Sequence, residues 1–279
     1  MRTGAARIVG RRTIGRSIVE LALAVPPAFP EPRPGQFVHV RVPGDALVLR
    51  RPLSVADWDE RERVLRLIFR VVGEGTARLA ALPVGAAVDA FLPPSTGFPL
   101  SAVRAGETAL LVGGGLGVAP LIFLARALHA RGVRVKARIG FACAEDVFGL
   151  RRLRAVADVE LYTDDGSAGA KGRVTDGLGP EAAFHAAFVC GPVPMLRAFQ
   201  RMFRGDGRPI YAALEARMAC GAGACRACVV PVAEGSALRH RRVCRDGPVF
   251  ALASLHVAGV PEDGSPDGGR GWADGGGFV

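Results

Sequence analysis

The hydrophobic positions of the first hundred residues fall in short stretches that alternate with polar positions. Turns rich in Pro and Gly separate these stretches, which lie at 18–25, 36–42, 64–71 and 87–92. Short strands at regular spacing, with turn residues between them, are typical of a small antiparallel barrel. The pattern therefore predicts a β-barrel over residues 1–102.

After about residue 107 the pattern changes, because apolar strands begin to alternate with helical segments such as Leu121–Arg131. The predicted strands cover 108–112, 133–141, 158–163 and 186–190. This alternation indicates a parallel α/β unit over residues 103–208. Residues 209–256, with four of the six cysteines, form a third predicted unit, and the polar, Gly-rich residues 257–279 are predicted to be a disordered tail.

The composition fits this division and narrows the possible functions. The 279 residues are 49% hydrophobic and 22% charged, enough apolar surface for two or more cores. The net charge is +10, but the arginines are spread along the chain and the chain has two Trp and two Tyr. A nucleic-acid-binding protein would concentrate its basic residues on one face, with aromatic residues among them. We therefore expect no nucleic-acid partner and expect anionic small cofactors instead.

Two apolar segments resemble membrane or targeting segments. Residues 108–125 are uncharged and nearly long enough to cross a bilayer, but a glycine cluster and Pro120 divide them into a strand, a turn and a helix start. The apolar stretch near the beginning is interrupted by Glu20 and lacks a small-residue cleavage site. We expect no membrane association and a cytoplasmic protein.

The spacing of four cysteines is the most specific signal in the chain. Cys220, Cys225, Cys228 and Cys244 are separated by four, two and fifteen residues. The first three match the plant-type spacing of a [2Fe-2S] cluster with a distant fourth ligand. The residues between the first two are Gly and Ala, which allow backbone N–H groups to approach the cluster sulfurs.

Two other interpretations of these cysteines remain open at this stage. A four-cysteine zinc site usually has two C-x2-C pairs, and this chain has one. Disulfides would require an oxidising compartment. The other two cysteines, Cys143 and Cys190, lie in apolar strand-like contexts and are interpreted most simply as small buried hydrophobic residues.

Two glycine-containing turns follow predicted strands of the α/β unit. The segment 112–120 contains Gly113, Gly114, Gly115 and Gly117 and leads into a helix. Glycines there let the backbone approach a phosphate, and a helix N-terminus provides N–H donors for a pyrophosphate. A second strand end, 188–195, leads through a Gly-Pro turn into another helix at the same expected edge of the sheet. A dinucleotide site and an ordinary βα turn are both compatible with each segment taken alone.

The barrel region has a third candidate site, at residues 50–54 and 67–76. Arg51 can pair with a diphosphate, the Ser54 hydroxyl can bond to a flavin ring, and Gly75-Thr76 at a helix start can hold phosphate oxygens. An arginine on the surface of a barrel is otherwise usually a solvated charge.

Together, the Arg-Pro-Leu-Ser segment, the glycine turns, the Cys-Gly-Pro segment and the cysteine loop resemble the ferredoxin-reductase superfamily of FAD and NAD(P) electron-transfer modules. Within it, the chain is most similar to the electron-transfer subunits of NAD-dependent dihydroorotate dehydrogenases, over residues 6–255. Segments 215–228 and 243–250 carry the most specific likeness. The chain departs from the oxygenase reductases of the superfamily in having Leu53 in place of their usual tyrosine and a shorter gap before Cys244.

The resemblance implies a fold, cofactors and partners. It implies a ferredoxin-reductase-like FAD barrel, a parallel-sheet NAD domain and a C-terminal [2Fe-2S] domain, with Thr163 to Gly166 also near NAD. The partner it implies is an FMN-containing catalytic subunit of pyrimidine biosynthesis, in a hetero-oligomer of two plus two. The residues implied for FAD are Arg51, Pro52, Leu53, Ser54, Ile68, Phe69, Arg70, Gly75 and Thr76; those for NAD are Gly114, Gly115, Gly117, Cys190, Gly191 and Pro192; and those for iron are Cys220, Cys225, Cys228 and Cys244.

Two further functional hypotheses stay open on the sequence. One is an NAD(P)H reductase subunit that serves ferredoxin, sulfide or another redox partner. The other is a non-enzymatic binding module stabilised by zinc.

Overall fold

The computed structural model describes residues 4–44 and 47–260. Its first part is a closed barrel of six antiparallel strands in the order β1-β2-β5-β4-β3-β6. The strands are β1 Gly4–Gly15, β2 Ile18–Ala24, β3 Phe37–Val40, β4 Arg51–Asp59, β5 Val64–Arg70 and β6 Ala87–Phe91, and helix α1 Glu74–Ala81 follows β5. The predicted barrel is confirmed.

The hydrophobic pattern did not reveal two of these strands, β1 and β4. In β1 the buried Ala6 and Ile8 alternate with exposed positions, but the rest of the strand is Arg-rich and mostly exposed. In β4 the register shifts between Val55 and Asp57, which breaks the period of two. Both strands are held by hydrogen bonds to two neighbours, which close the barrel.

Strand β3 separates the barrel interior from the cysteine-rich segment. Val38 and Val40 point into the barrel core, and Phe37 and His39 point outward on the opposite face. All four are buried, so the outer face of β3 is covered by another part of the chain. The covering part is the C-terminal segment, as the contacts of Phe37 and His39 show.

The second part is a seven-stranded sheet in the order β10-β9-β8-β7-β11-β12-β15. All neighbouring strands are parallel except β12 and β15. The strands are β7 Thr108–Gly114, β8 Arg134–Phe141, β9 Asp158–Thr163, β10 Ala170–Lys171, β11 Ala186–Cys190, β12 Ile210–Ala213 and β15 Val249–Ala251; the helices are α2 Val118–His129, α3 Leu150–Arg154 and α4 Val193–Met202. The predicted parallel α/β unit is confirmed, and α2 begins three residues earlier than predicted.

The cysteine-rich segment is joined to this sheet at both of its ends. It leaves the sheet after β12, forms the hairpin of β13 Val229–Glu234 and β14 Ala237–Arg242, and returns as β15. Residues 209–256 therefore share a sheet with the preceding α/β unit. No gap in the packing marks the predicted boundary between residues 208 and 209, because strands from both sides of it lie in one sheet. The boundary stays a prediction.

The end of the described chain packs on α4. Val257 and Val260 are buried, and Arg197 donates to the carbonyl oxygens of Val257 at 3.2 Å and Val260 at 3.0 Å. The packed region thus includes the first four residues of the predicted tail.

Residues 261–279 lie outside the described residues. Within the described ranges no helix is long and apolar enough to span a bilayer.

Ion pairs fix the barrel against the sheet. Arg126 of α2 donates twice to Asp57 of β4, at 2.9 and 2.7 Å. Arg152 of α3 donates to the buried Glu20 of β2 at 2.5 and 3.0 Å. Burial opposes ionisation of Glu20, but its hydrogen bonds from arginine lower its pKa overall. These contacts set how the barrel faces the sheet.

Candidate functional site

The two glycine-containing turns of the α/β unit meet at the carboxyl edge of the sheet. A Cβ on Gly117 would lie 2.2 Å from the carbonyl oxygen of Cys190, and one on Gly191 would lie 3.0 Å from the amide nitrogen of Gly114. Side chains at these glycines would push the turns apart. The sequence prediction that these segments share one edge agrees with the geometry, and this edge is where open parallel sheets bind ligands.

A cleft of 420 Å³ opens beside these turns. Gly114, Gly115 and Pro192 line it, together with Arg70 of the barrel and Asp164 after β9. Arg70 donates to the carbonyl oxygen of Arg16 at 3.1 Å and to Asp146 at 3.2 Å, and so links the two parts of the molecule at the cleft mouth. Its volume lies in the range of small-molecule sites, and its place at the carboxyl edge of the sheet is where open parallel sheets bind ligands.

The start of α1 forms an anion-binding corner with Arg51. A Cβ on Gly75 would lie 2.4 Å from Nη2 of Arg51, so only glycine allows the guanidinium to rest on the first turn of the helix. The Thr76 hydroxyl caps that turn by accepting from the amide nitrogens of Val72 at 3.0 Å and Gly73 at 3.2 Å. Burial lowers the pKa of Arg51, and among the described residues no carboxylate pairs with it. A helix N-terminus and an unpaired guanidinium fit a diphosphate.

The other predicted FAD residues divide into three groups. Pro52 and Ser54 line a narrow central cleft between the barrel and the sheet. Leu53 and Phe69 are fully buried inside the barrel, so their side chains pack the core and only their backbone is available to a ligand. Ile68 packs against the core of the α/β unit, and Arg70 faces the cleft beside the glycine turns.

The central cleft brings together all three parts of the chain. Pro52 and Ser54 come from the barrel, and Pro120 and Cys190 come from the segments of the glycine turns. Glu215, Ala216 and Met218 come from the segment that leads to the cysteines. Burial raises the pKa of the Cys190 thiol, so this cysteine is a neutral lining group. This narrow cleft of about 40 Å³ is lined mainly by apolar groups with a few polar ones, a lining that suits one edge of a flavin ring rather than the whole ring.

Glu215 is an exposed ionisable residue that lines the side of this cleft. Protein groups packed around its carboxyl desolvate it in part and raise its pKa to about 7. A raised carboxyl pKa favours the folded protein when the group is protonated. The favourable contribution is therefore complete below about pH 4.5 and is lost as the pH rises through about 7.

We expect Glu215→Gln to flatten the pH dependence of stability. The wild-type protein should lose a small amount of stability relative to the variant as the pH rises from 5 to 8, because the amide carries no charge to desolvate and solvent screens much of the exposed carboxylate. Thermal unfolding of both proteins across this range measures the difference. Glu62→Gln, in an exposed turn of the barrel, is the matched control. Parallel curves for wild type and Glu215→Gln would contradict the assignment.

The four cysteines lie together in two contacting pairs. The side chains of Cys220 and Cys225 form one pair, and those of Cys228 and Cys244 form the other. Among the described residues no three potential ligands converge on a single point. A tetrahedral zinc site needs four thiolates around one ion, whereas a two-iron cluster takes two ligands on each iron. The paired arrangement therefore favours the [2Fe-2S] interpretation over zinc.

Backbone N–H groups already point at the sulfurs. Sγ of Cys220 accepts from the amide nitrogens of Ala222 at 3.3 Å and Cys225 at 3.4 Å, and Sγ of Cys228 accepts from Cys244 at 3.4 Å. Burial opposes ionisation of Cys220, but these donors outweigh it and lower its pKa to about 6. The thiol of Cys244 lowers the pKa of Cys228 to about 6. Thiolates are the form that ligates iron.

The shape of the loop depends on its glycines and on one arginine. Gly221 and Gly223 have φ angles of 64° and 82°, which L side chains rarely adopt. Arg242 donates to the carbonyl oxygen of Gly223 at 3.0 Å and holds Asp246 with two further bonds at 2.9 and 3.0 Å. The loop is thereby fixed against the turn that carries Cys244.

One side of the cysteine site reaches the surface. Cys228 and Cys244 are 2% and 1% exposed, and Cys225 is exposed beside Arg226. The adjacent strand β14 presents further arginines, among them Arg239 with a 67% exposed side chain. A protein with an acidic surface could dock here, because the site is basic and the ligands lie directly beneath it.

Sequence reasoning missed two residues of this region. In the sequence, Glu215 stands out only as the first residue of a segment that carries the family likeness, and His39 is only one residue of a predicted barrel strand. Neither belongs to a motif with a recognisable spacing. Only the packing of β3 against the C-terminal segment shows that both lie between the barrel and the cysteines.

Comparisons with known proteins agree with this geometry. Residues 215–256 match the family model of the iron-sulfur cluster binding domain of dihydroorotate dehydrogenase B. The electron transfer subunit of dihydroorotate dehydrogenase B (NAD(+)) from Geobacillus thermodenitrificans is 45% identical over 250 residues, covering 89% of this chain and 96% of the relative. The subunit from Shouchella clausii is 42% identical over 254 residues, covering 90% and 97%.

Solved structures show the same fold. A NADH-dependent reduced ferredoxin-NADP oxidoreductase, studied for flavin-based electron bifurcation, matches with a TM-score of 0.80 and 29% identity over 91% of this chain and 90% of that chain. An Amycolatopsis cytochrome P450 reductase matches with a TM-score of 0.63 and 24% identity, over 76% and 69%. The fold is ferredoxin-reductase-like, and the chain belongs to the family of dihydroorotate dehydrogenase B electron transfer subunits.

Proposed function

We propose that this chain passes electrons between NAD(H), FAD and a [2Fe-2S] cluster, and between that cluster and the catalytic subunit of an NAD-dependent dihydroorotate dehydrogenase. The central cleft carries the proposal. It is lined by the barrel strand that begins at Arg51, by the glycine turns, and by the segment that continues into Cys220. A ligand there touches the nucleotide unit on one side and the cysteine segment on the other.

Separate sets of residues bind FAD, NAD and iron. Arg51 and the first turn of α1 hold the diphosphate of FAD, and Pro52 and Ser54 contact its ring. Gly114, Gly115, Gly117 and Cys190 to Pro192 face NAD, and the four cysteines bind iron. Bound FAD would supply two-electron chemistry toward the nicotinamide and one-electron chemistry toward the cluster. The protein supplies orientation, donors for the phosphates and sulfurs, and shielding from water.

The domain division follows from these roles. Residues 1–102 form the FAD unit, 103–208 the NAD unit and 209–256 the cluster unit, with β12 and β15 of the last unit completing the sheet of the second. Thiolate ligands require a reducing environment, which supports placing the protein in the cytoplasm.

The partner we infer carries FMN and assembles with this chain as two plus two. Exposure of Cys225 and the arginines of β14 supports a protein interface at the cysteine site. This chain alone should reduce artificial acceptors with NADH but leave dihydroorotate and orotate unchanged.

Reconstitution tests this assignment. Co-expression with an FMN-containing dihydroorotate dehydrogenase catalytic subunit should give a stable complex on gel filtration and NAD-linked oxidation of dihydroorotate. A charge reversal tests the interface itself. The variant Arg226→Glu reverses one charge beside the exposed cysteine and should weaken association with the same partner.

A second function has its own support. The ferredoxin-linked oxidoreductase structure aligns over 91% of this chain at 29% identity. No association with the dihydroorotate partner, combined with rapid NAD(P)H-dependent reduction of a ferredoxin, would replace the first assignment by this one.

A further inference from the structure

One histidine in the interior has no hydrogen-bond partner on either ring nitrogen. His39 on β3 is 0% exposed, and within the described residues neither Nδ1 nor Nε2 bonds to any group. An unsatisfied buried polar group destabilises the folded protein, so native proteins rarely keep one without a role. We therefore look for the hydrogen-bond partner of this ring among the bound cofactors of the protein.

Two aromatic side chains give the His39 ring apolar neighbours. The His39 ring packs between those of Phe37 and Phe91, with centroid distances of 5.8 and 5.3 Å. Burial, and then the positive charge of Arg50, lower the pKa of His39 to about 4. The imidazole is thus neutral at physiological pH and has one N–H donor and one acceptor nitrogen.

The remaining edge of the ring touches the cysteine loop. A Cβ on Gly221 would lie 2.5 Å from Nδ1 and 2.6 Å from Cε1 of His39. Gly221 directly follows Cys220 and has a positive φ, so both the backbone and the space require glycine here. The histidine therefore lies against the part of the chain that carries the first sulfur ligand.

The histidine also neighbours the proposed flavin site without lining it. Its cross-strand partner in β4 is Pro52, and Phe37, two residues before it, lines the central cleft. His39 itself is absent from the lining of that cleft. The sulfur-bearing loop is accordingly the better source of an acceptor than the flavin ring.

We propose that His39 donates a hydrogen bond to a sulfur of the [2Fe-2S] group, a cysteine thiolate or a bridging sulfide, and so helps to set the reduction potential of the cluster. The proposal rests on the cluster assigned under the proposed function. Hydrogen bonds to cluster sulfurs influence the potential because they stabilise the added negative charge of the reduced form.

Replacing the donor should make the cluster harder to reduce. In anaerobically purified holoprotein, His39→Leu should shift the one-electron reduction equilibrium of the cluster about tenfold toward the oxidised form, which corresponds to about 59 mV. The FAD potential should stay unchanged. His39→Gln keeps an N–H donor and should recover part of the shift. His240→Leu, an exposed histidine on β14, is the control and should leave both potentials as in the wild type.

A spectroscopic measurement keeps the test independent of folding defects. Wild-type protein grown with ¹⁵N-histidine should show a histidine nitrogen coupling in the spin-echo spectrum of the reduced cluster, and His39→Gln should lose it. A cluster with no such coupling and an unchanged potential in the variants would overturn the proposal, as would a shift of the FAD potential alone. Iron-free wild-type protein would instead overturn the cluster assignment itself.

Discussion

Cys244→Ser should yield a protein that keeps FAD but loses the [2Fe-2S] cluster and all transfer to the catalytic partner. Cys244 is 1% exposed and contacts Cys228. Among the described residues the other two cysteines are Cys143 and Cys190, and both belong to the sheet unit, so neither can replace it. Serine offers a hydroxyl, which is a poor iron ligand because it stays protonated near neutral pH.

Iron content, visible absorbance and two activities measure this effect. Wild-type protein should carry about two iron atoms and one FAD per chain, as the plant-type cysteine set and one flavin site imply. The variant should retain NADH oxidation with an artificial flavin acceptor and lose NAD-linked dihydroorotate oxidation in the complex. Cys143→Ser, at a partly buried cysteine outside the cluster, is the matched control. Stoichiometric zinc without flavin in the wild type would reject the whole assignment.

Arg51→Ala should release FAD. The guanidinium rests on the first turn of α1. Among the described residues it pairs with no carboxylate and donates only to the carbonyl oxygen of Leu49, at 2.6 Å. If it pairs with the diphosphate, its loss removes a charge-assisted contact of about 1.5–3 kcal/mol, or about 10–150-fold in affinity. The barrel should remain folded, because the core residues of β4 are unchanged.

Equilibrium dialysis of the flavin measures the loss. Arg51→Lys keeps the charge without the planar pair of donors and should fall between wild type and Arg51→Ala. Arg61→Ala, whose side chain is 94% exposed in the β4–β5 turn, should bind FAD as the wild type does. Equal FAD affinity in Arg51→Ala and wild type would remove Arg51 from the diphosphate site.

Local sequence patterns were sufficient to predict the strands and helices whose formation depends on residues close together in the chain. Strands such as β5 and β7 and the presence of helix α2 follow from apolar runs and glycine turns. The Arg-rich β1 and the irregular β4 were not predicted, because what holds them is hydrogen bonding to distant strands. Likewise, nothing in residues 210–213 indicates that they extend the same sheet as β11.

The sequence by itself narrowed the chemistry of the ligands. The cysteine spacing favours a [2Fe-2S] cluster, the glycine turns are compatible with phosphate binding, and both signals depend on residues close together in the chain. The tertiary structure alone decided which side chains face a ligand and which fill a core. It buried Leu53 and Phe69 inside the barrel, placed the half-buried Arg51 at a helix start, and placed Glu215 and His39 beside the cleft and the cysteines. Such roles arise from contacts between residues far apart in sequence, and burial and hydrogen-bond satisfaction exist only once those contacts form.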